Sequence, residues 1–342
     1  MENTIFEYLD YYKDYSFKDI KFNIIDALLY STLIYIPITN MRENTSLKTY
    51  YNMASNITLK GNMSNIALSL LETMSKSKRY ENVRLFSLVK EYTDEYEFGA
   101  LTFRDFDYTY VAYQGSVGTI SGWKENLYIT LEYPTVTQKV AIDYLKKVFR
   151  LKDKNLYIGG HSKGGNLAIS SLLLSPNYIT RRVVKVFNFD GPGFRKEELN
   201  SERYKSLKDK MVNILPDGSM IGVILSHGEY NFIKSKGVSI EKHFPSNWLI
   251  FGEFFVKSEE NNASKALHNK IVNSLDKLTY EEKKICIDTM FGLIKDKNIR
   301  SVRDFTKMSV DDYKNIISSM KNIPSERRKL MIEVFKLFVK SK

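Results

Sequence analysis

Residues 155–189 constrain this chain more than any other stretch. Asn155-Leu-Tyr-Ile-Gly-Gly reads as a short strand, Lys163 to Leu174 as an amphipathic helix that Pro176 ends, and Val183-Val-Lys-Val-Phe-Asn-Phe as a second strand. Two strands separated by one helix imply a parallel pair joined by a right-handed crossover. A chain built this way forms an α/β layer. Between the first strand and the helix stands Gly160-His161-Ser162-Lys163-Gly164, a match to G-x-S-x-G. Such a turn lifts a serine hydroxyl above the end of the sheet, and its neighbours are small because the backbone crowds there. The other glycine readings fail. Gly159 and Gly164 have the spacing of a phosphate-binding loop, but Gly165 stands where its lysine belongs, and no G-x-G-x-x-G occurs.

The rest of the chain falls into three textures. Residues 1–82 carry helical periodicity, clearest over Phe22 to Tyr35 and Asn65 to Met74. Residues 83–262 alternate strands and helices. Strands are expected over Phe98 to Phe103, Tyr108 to Tyr113, Met211 to Leu215, Tyr230 to Ser235 and Trp248 to Phe255, and helices over Pro134 to Phe149 and Ser219 to Leu225. Residues 263–342 are helical again, with helix starts expected at Thr279, Ser309 and Ser325. The expected organisation is an α/β core with a mostly parallel sheet and a nucleophile elbow. A helical N-terminal region packs on it and a basic helical C-terminal region follows it.

Charge and cysteine usage narrow the function classes. The net charge is +11, and residues 264–342 hold 18 Lys+Arg against 10 Asp+Glu. A basic tail of this kind can meet an anionic membrane surface. The charges are interspersed with acids and show no arginine-rich block, so a solvated helical face is the plainer reading and no nucleic-acid partner is expected. Cys286 is the single cysteine, which excludes an intramolecular disulfide and a cysteine metal cluster. A reducing, cytoplasmic compartment fits that usage. No metal or organic cofactor is implied.

A serine nucleophile needs a base to take its proton and an acid to orient that base. Four histidines are present: His161, His227, His243 and His268. His161 adjoins the serine, and its side chain is expected to point away along the strand. His227 reads as a surface or helix-end residue, and His268 falls in the helical tail. His243 is the expected base. After a G-x-S-x-G turn the chain order is serine, acid, histidine. Asp217, just after the strand Met211 to Leu215, is the expected acid. Asp190 is its rival, but it opens a Gly-Pro-Gly turn in which a structural role suffices. The oxyanion donors are expected to be the backbone N–H groups of Lys163 and of Ser116, which ends Val111-Ala-Tyr-Gln-Gly-Ser116.

Several segments together resemble the lipase class 3 family, and more closely a related set of uncharacterised bacterial lipase-like α/β-hydrolases. Ala112-Tyr-Gln-Gly-Ser116 with Gly122-Trp-Lys-Glu-Asn126 is similar to the family's F-R-G-T segment and the tryptophan and acidic residue that follow it. Gly160-His-Ser-Lys-Gly-Gly-Asn-Leu-Ala resembles G-H-S-L-G-G-A-L-A, and Phe187 to Phe194 resembles the strand and turn after the elbow. Val212 to Asp217 and His243 stand where the family places its acid and base. The chain departs from the pattern at Gln114, at Lys163 and around Asp217. The resemblance covers about residues 98–255 and implies a serine hydrolase that cleaves a carboxylic ester, small or lipid-like, through Ser162, His243 and Asp217 and an acyl-enzyme. Two alternatives remain: a non-catalytic hydrolase-fold protein that binds through its basic tail, and the same residues acting on a thioester or amide.

Overall fold

The computed structural model describes residues 3–153, 155–276 and 279–296, together with 311, 318 and 324–329. Among these, eight strands form one sheet whose spatial order is the chain order. They are β1 (Thr45–Ser46), β2 (Arg84–Tyr92), β3 (Glu97–Arg104), β4 (Tyr108–Tyr113), β5 (Asn155–His161), β6 (Val183–Phe189), β7 (Met211–Pro216) and β8 (Asn231–Ile233). β1 to β4 pair antiparallel and β4 to β8 pair parallel. This is an α/β fold in which a strand, a tight turn and a helix succeed one another at Ser162.

Both faces of the sheet are covered. The first four helices are α1 (Ile5–Tyr12), α2 (Ile24–Leu33), α3 (Leu47–Ala54) and α4 (Asn62–Ser75). Asn23 caps α2 through a reciprocal capping box with Asp26. α2 lies against β4, β5 and β6. On the opposite face lie α6 (Val136–Val148) and α7 (Lys163–Leu174), the second of which follows the elbow. β4 shows the two-residue period that both layers demand. Tyr108, Tyr110 and Ala112 join the core under α2, while Val111 and Tyr113 join the core under α7. The N-terminal helices thus share one hydrophobic core with the sheet.

Strand register sets the position of everything that follows. Tyr113 pairs with Gly160, and His161 with Phe189. The residues just beyond those strands, Gln114, Ser162 and Asp190, therefore emerge side by side at the C-terminal rim, where ligands meet parallel sheets. β7 runs further: Ile214 is level with Phe189, and Pro216 still pairs with Ile233 of β8. Asp217 lies beyond that rim and one strand further out.

Three expectations are corrected. Ser219 to Leu225 is a run of turns and not a helix. The Gly222 N–H is taken by the Asp190 carboxylate and the Ser219 hydroxyl rather than by a helical carbonyl. Trp248 to Phe255 is not a strand of the main sheet. It holds a separate hairpin of β9 (Ile250–Phe251) and β10 (Phe254–Phe255). β2 is an unpredicted nine-residue strand, bulged between Phe86 and Val89, where Ser87 adopts φ 54°. Beyond the core, helices run over Asn262–Asp276 and Tyr280–Asp296. Ser325 is helical, whereas Ser309 lies outside the described residues.

Candidate active site

Ser162 stands between β5 and α7 with φ 59° and ψ −136°. A side-chain-bearing residue in this region carries strain of order 1–3 kcal/mol. The surroundings impose that conformation. The Ser162 N–H donates to the Phe189 carbonyl at 2.9 Å, and its own carbonyl accepts from Gly165 N–H at 2.9 Å. The flanking glycines are required by close approach. A Cβ on Gly160 would overlap the Gly164 backbone, and one on Gly164 would overlap the Tyr113 carbonyl. Ser162 is buried, and a Cβ on Gly115 would stand 2.8 Å from the Ser162 Cβ. The loop after β4 therefore abuts the serine.

His243 ends the short helical turn Ser239–His243. Its Nδ1 lies 2.6 Å from Oδ2 of Asp190. A carboxylate only accepts, so Nδ1 carries the proton and Nε2 is the free basic nitrogen. Asp190 is fully buried and sits just past β6 at φ 53°. Its second oxygen, Oδ1, accepts from the Gly222 N–H at 3.1 Å and from the Ser219 hydroxyl. The turn run 219–225 is the cradle of this carboxylate. The helix Asn262–Asp276 braces it from outside, where Ser264 Oγ donates to the Ser219 carbonyl at 2.9 Å and His268 Nδ1 donates to the Val223 carbonyl at 2.8 Å.

The expectation that Asp217 partners His243 does not match this geometry. Asp217 Oδ1 accepts from Lys242 Nζ at 2.8 Å and from Ser235 N–H at 3.2 Å, and Oδ2 accepts from Ser258 Oγ at 3.3 Å. Its carboxylate clamps the residue before His243 rather than His243 itself. The cause is the overhang of β7, which carries Asp217 past the rim on which Ser162 and Asp190 stand.

The loop bearing His243 has two further anchors. Trp248 is fully buried, and its Nε1 donates to the Lys242 carbonyl at 2.7 Å. His161 does not point away. Its ring lies 4.4 Å from that of His243, centroid to centroid, and its Nε2 lies 2.8 Å from the His243 carbonyl. A carbonyl only accepts, so Nε2 is protonated and Nδ1 is an acceptor. Tyr35, at the end of the α2 segment, then donates its hydroxyl to Nδ1 at 3.1 Å. Burial, and after it the neighbouring His243, hold the His161 pKa well below the ordinary histidine range. His161 is a neutral link from the N-terminal layer to the His243 backbone.

His227 is likewise not at the surface. It is buried, donates from Nε2 to the Gly222 carbonyl at 2.9 Å, and has its pKa pushed down to about 4, chiefly by burial. It supports the Asp190 cradle from beneath.

Of the two expected oxyanion donors, Lys163 follows Ser162 directly and Ser116 follows the glycine that abuts it. Lys163 is the first residue of α7, so its N–H has no carbonyl four residues back to bind. Ser116 lies in the loop before α5 (Ile120–Tyr128), one residue past the glycine that abuts Ser162. The Ser116 hydroxyl accepts from Asn126 Nδ2 at 3.1 Å. Gln114, beneath the same loop, accepts from Lys90 Nζ, whose pKa burial pushes down to about 7. Among the described residues Ser162 Oγ makes no hydrogen bond, and no group of three His, Cys, Asp or Glu side chains could hold a metal ion.

Sequence reasoning missed the inward turn of His161, Tyr35 as its donor, and the buried carboxylates Glu97 and Glu125 behind the Ser116 loop. Glu125 did carry a signal, as the acidic residue of Gly122-Trp-Lys-Glu-Asn126. The others depend on contacts between residues far apart in the chain.

No protein of curated function matches this chain. Among solved structures, a crystal structure of M37 lipase is similar at 13% identity over 58% of this chain and 67% of that one, with a TM-score of 0.37. The Mbeg1-like family model matches residues 74–292, the stretch that runs from the end of α4 through the elbow, Asp190 and His243 into the helix Tyr280–Asp296. The chain belongs to the Mbeg1-like family, a lipase class 3-like family of α/β-hydrolase fold.

Proposed function

We propose that the protein is a serine esterase that cleaves a carboxylic ester through an acyl-enzyme. Ser162 Oγ attacks the acyl carbonyl while His243 Nε2 takes its proton. The Asp190 carboxylate holds the Nδ1–H tautomer and stabilises the imidazolium. The N–H groups of Ser116 and Lys163 receive the oxyanion, helped by the N-terminus of α7. The tetrahedral adduct collapses, the C–O bond breaks, and His243 returns the proton to the departing alcohol. Water, deprotonated by His243, then releases the acid and restores the Ser162 hydroxyl.

One observation carries this reading above the others. A fully buried aspartate stands 2.6 Å from a histidine whose other nitrogen is free, at the rim where a strained serine ends the neighbouring strand. Backbone strain at a nucleophile and a buried carboxylate held against a histidine are features that cluster at catalytic sites. Family membership supports a lipase-like hydrolase. A small or lipid-like ester is the first substrate class, and a cytoplasmic location goes with the single cysteine. The proposed membrane contact of the basic C-terminal region concerns residues of which about half lie outside those described.

The test is labelling of the full chain with a fluorophosphonate probe, alongside hydrolysis of p-nitrophenyl acetate and butyrate. Ser162→Ala should abolish both and leave the circular dichroism spectrum unchanged. Labelling that persists in the pure Ser162→Ala protein would move the nucleophile elsewhere. An unlabelled, inactive parent protein would leave the binding-module alternative standing.

A further inference from the structure

The side chain of Lys163 is fully buried, although its backbone opens a helix beside the nucleophile. It turns inward and forms an ion pair with Glu125 Oε2 of α5 at 2.8 Å, with both side chains nearly sealed from solvent. The same Nζ donates to the Glu97 carbonyl at 2.7 Å. The Glu97 carboxylate faces the Ser116 loop. It accepts from the Val117 N–H at 2.7 Å and from the Thr119 hydroxyl. Glu125 in turn accepts from the Thr137 N–H at 3.1 Å through its other oxygen, and burial pushes its carboxyl pKa up. The neighbouring Asn126 holds the Ser116 hydroxyl.

One ammonium group therefore joins the two supports of the Ser116 loop, β3 through Glu97 and α5 through Glu125. It belongs to the residue whose own N–H forms the opposite wall. An apolar side chain would fill the same space without removing two charges from water. Such buried pairs rarely add net stability over an apolar filling. What the pair does supply is a fixed distance. Oxyanion stabilisation depends on donors held within a few tenths of an ångström of where charge develops.

We propose that Lys163 is a positioning residue that sets the spacing between the backbone N–H groups of Ser116 and Lys163, acting through Glu97 and Glu125. This inference rests on the esterase reading. Three variants of the full chain test it: Lys163→Met, Glu125→Gln, and the two combined. Each is measured for kcat and KM on p-nitrophenyl butyrate, for the rate of fluorophosphonate labelling, and for its thermal midpoint. Lys163→Met should lower kcat and the labelling rate roughly 10- to 100-fold, below the full loss of an oxyanion donor, with KM changed less than about threefold.

The combined variant removes the unpaired buried carboxylate, so its midpoint should recover while kcat stays low. Recovery of both together would reduce Lys163 to a structural role and overturn the proposal, as would a folded Lys163→Met protein with unchanged kcat. If Lys163→Met does not fold, the combined variant decides. Thr119→Val, which removes the bond to Glu97 and the Gly122 cap of α5 but keeps Lys163 and Glu125 themselves, should also lower kcat at constant KM, and an unchanged kcat there counts against the proposal. Absence of Ser162-dependent labelling in the unaltered protein is a separate failure, that of the esterase reading.

Discussion

His243 and Asp190 meet at 2.6 Å across the gap between a loop past β8 and the end of β6, and the Asp190 carboxylate is closed to solvent. Its other oxygen is held by Ser219 and Gly222, so the aspartate cannot swing away from the imidazole. Asp217, which follows the next strand, holds Lys242 instead.

This separation of roles predicts opposite outcomes for two conservative changes. Asp190→Asn should leave the fold intact and lower ester turnover by roughly 10⁴, because an amide favours the wrong histidine tautomer. Asp217→Asn should cost roughly tenfold or less in kcat and chiefly lower the thermal midpoint, since it loosens the clamp on Lys242. Steady-state kinetics on p-nitrophenyl butyrate decides the matter. An inactive Asp217→Asn beside an active Asp190→Asn would return the acid role to the end of β7.

The sheet and the elbow were legible because their signals are local. A strand, a tight glycine turn and an amphipathic helix announce themselves within 155–174, and the helix runs over the expected Lys163–Leu174. The choice between two strand-end aspartates was not local. Asp190 opens a Gly-Pro-Gly turn that looks structural by itself, and only strand register shows that it is level with Ser162 while Asp217 overhangs. The same limit explains Ser219 to Leu225. Its apolar spacing suits a helix, but Gly222 spends its N–H on a carboxylate contributed by another strand. The burial of the Lys163 side chain is likewise not local, since it depends on Glu125 and Glu97, which lie far from it in the chain.

His161 offers a test of how the base is held. Its neutral ring donates to the His243 carbonyl and accepts from Tyr35. His161→Phe keeps the ring and loses both bonds, so the His243 loop should gain freedom. Turnover should fall roughly 10- to 100-fold, in line with small misplacements of a catalytic group. Tyr35→Phe removes the contacts of that hydroxyl with Nδ1 and the carbonyl of His161 but keeps the bond from His161 to His243, and should be milder. A greater loss in Tyr35→Phe than in His161→Phe would sink this account of the linkage.

Asp26 and Arg79 should dominate the stability of the N-terminal layer. Both side chains are fully buried; Arg79 Nη2 lies 2.6 Å from Asp26 Oδ2, and Tyr80 donates to Oδ1 at 2.7 Å. Asp26→Ala leaves the guanidinium uncompensated and should cost about 3–5 kcal/mol. Urea unfolding measures this directly, and a loss below about 1 kcal/mol would mean that the cation reaches water or another partner.

Acidification should weaken the fold well before the carboxylates titrate. His161 and His227 are held neutral, the first with its pKa well below the ordinary range and the second at about 4. In the unfolded chain both take up protons near pH 6.5. Below that pH the unfolded state binds more protons than the folded state, so stability declines as pH falls. The His227 contribution is intact above about pH 6.5 and is lost progressively down to about pH 4, amounting to about 3 kcal/mol in all. Urea unfolding at pH 7, 6 and 5 should therefore show a steady fall. His227→Gln, which cannot take up the proton, should lower stability at pH 7 yet show a shallower fall between pH 7 and 5. Equal slopes in the two proteins would mean that His227 becomes protonated in the folded state without penalty, and the buried, neutral assignment would be wrong.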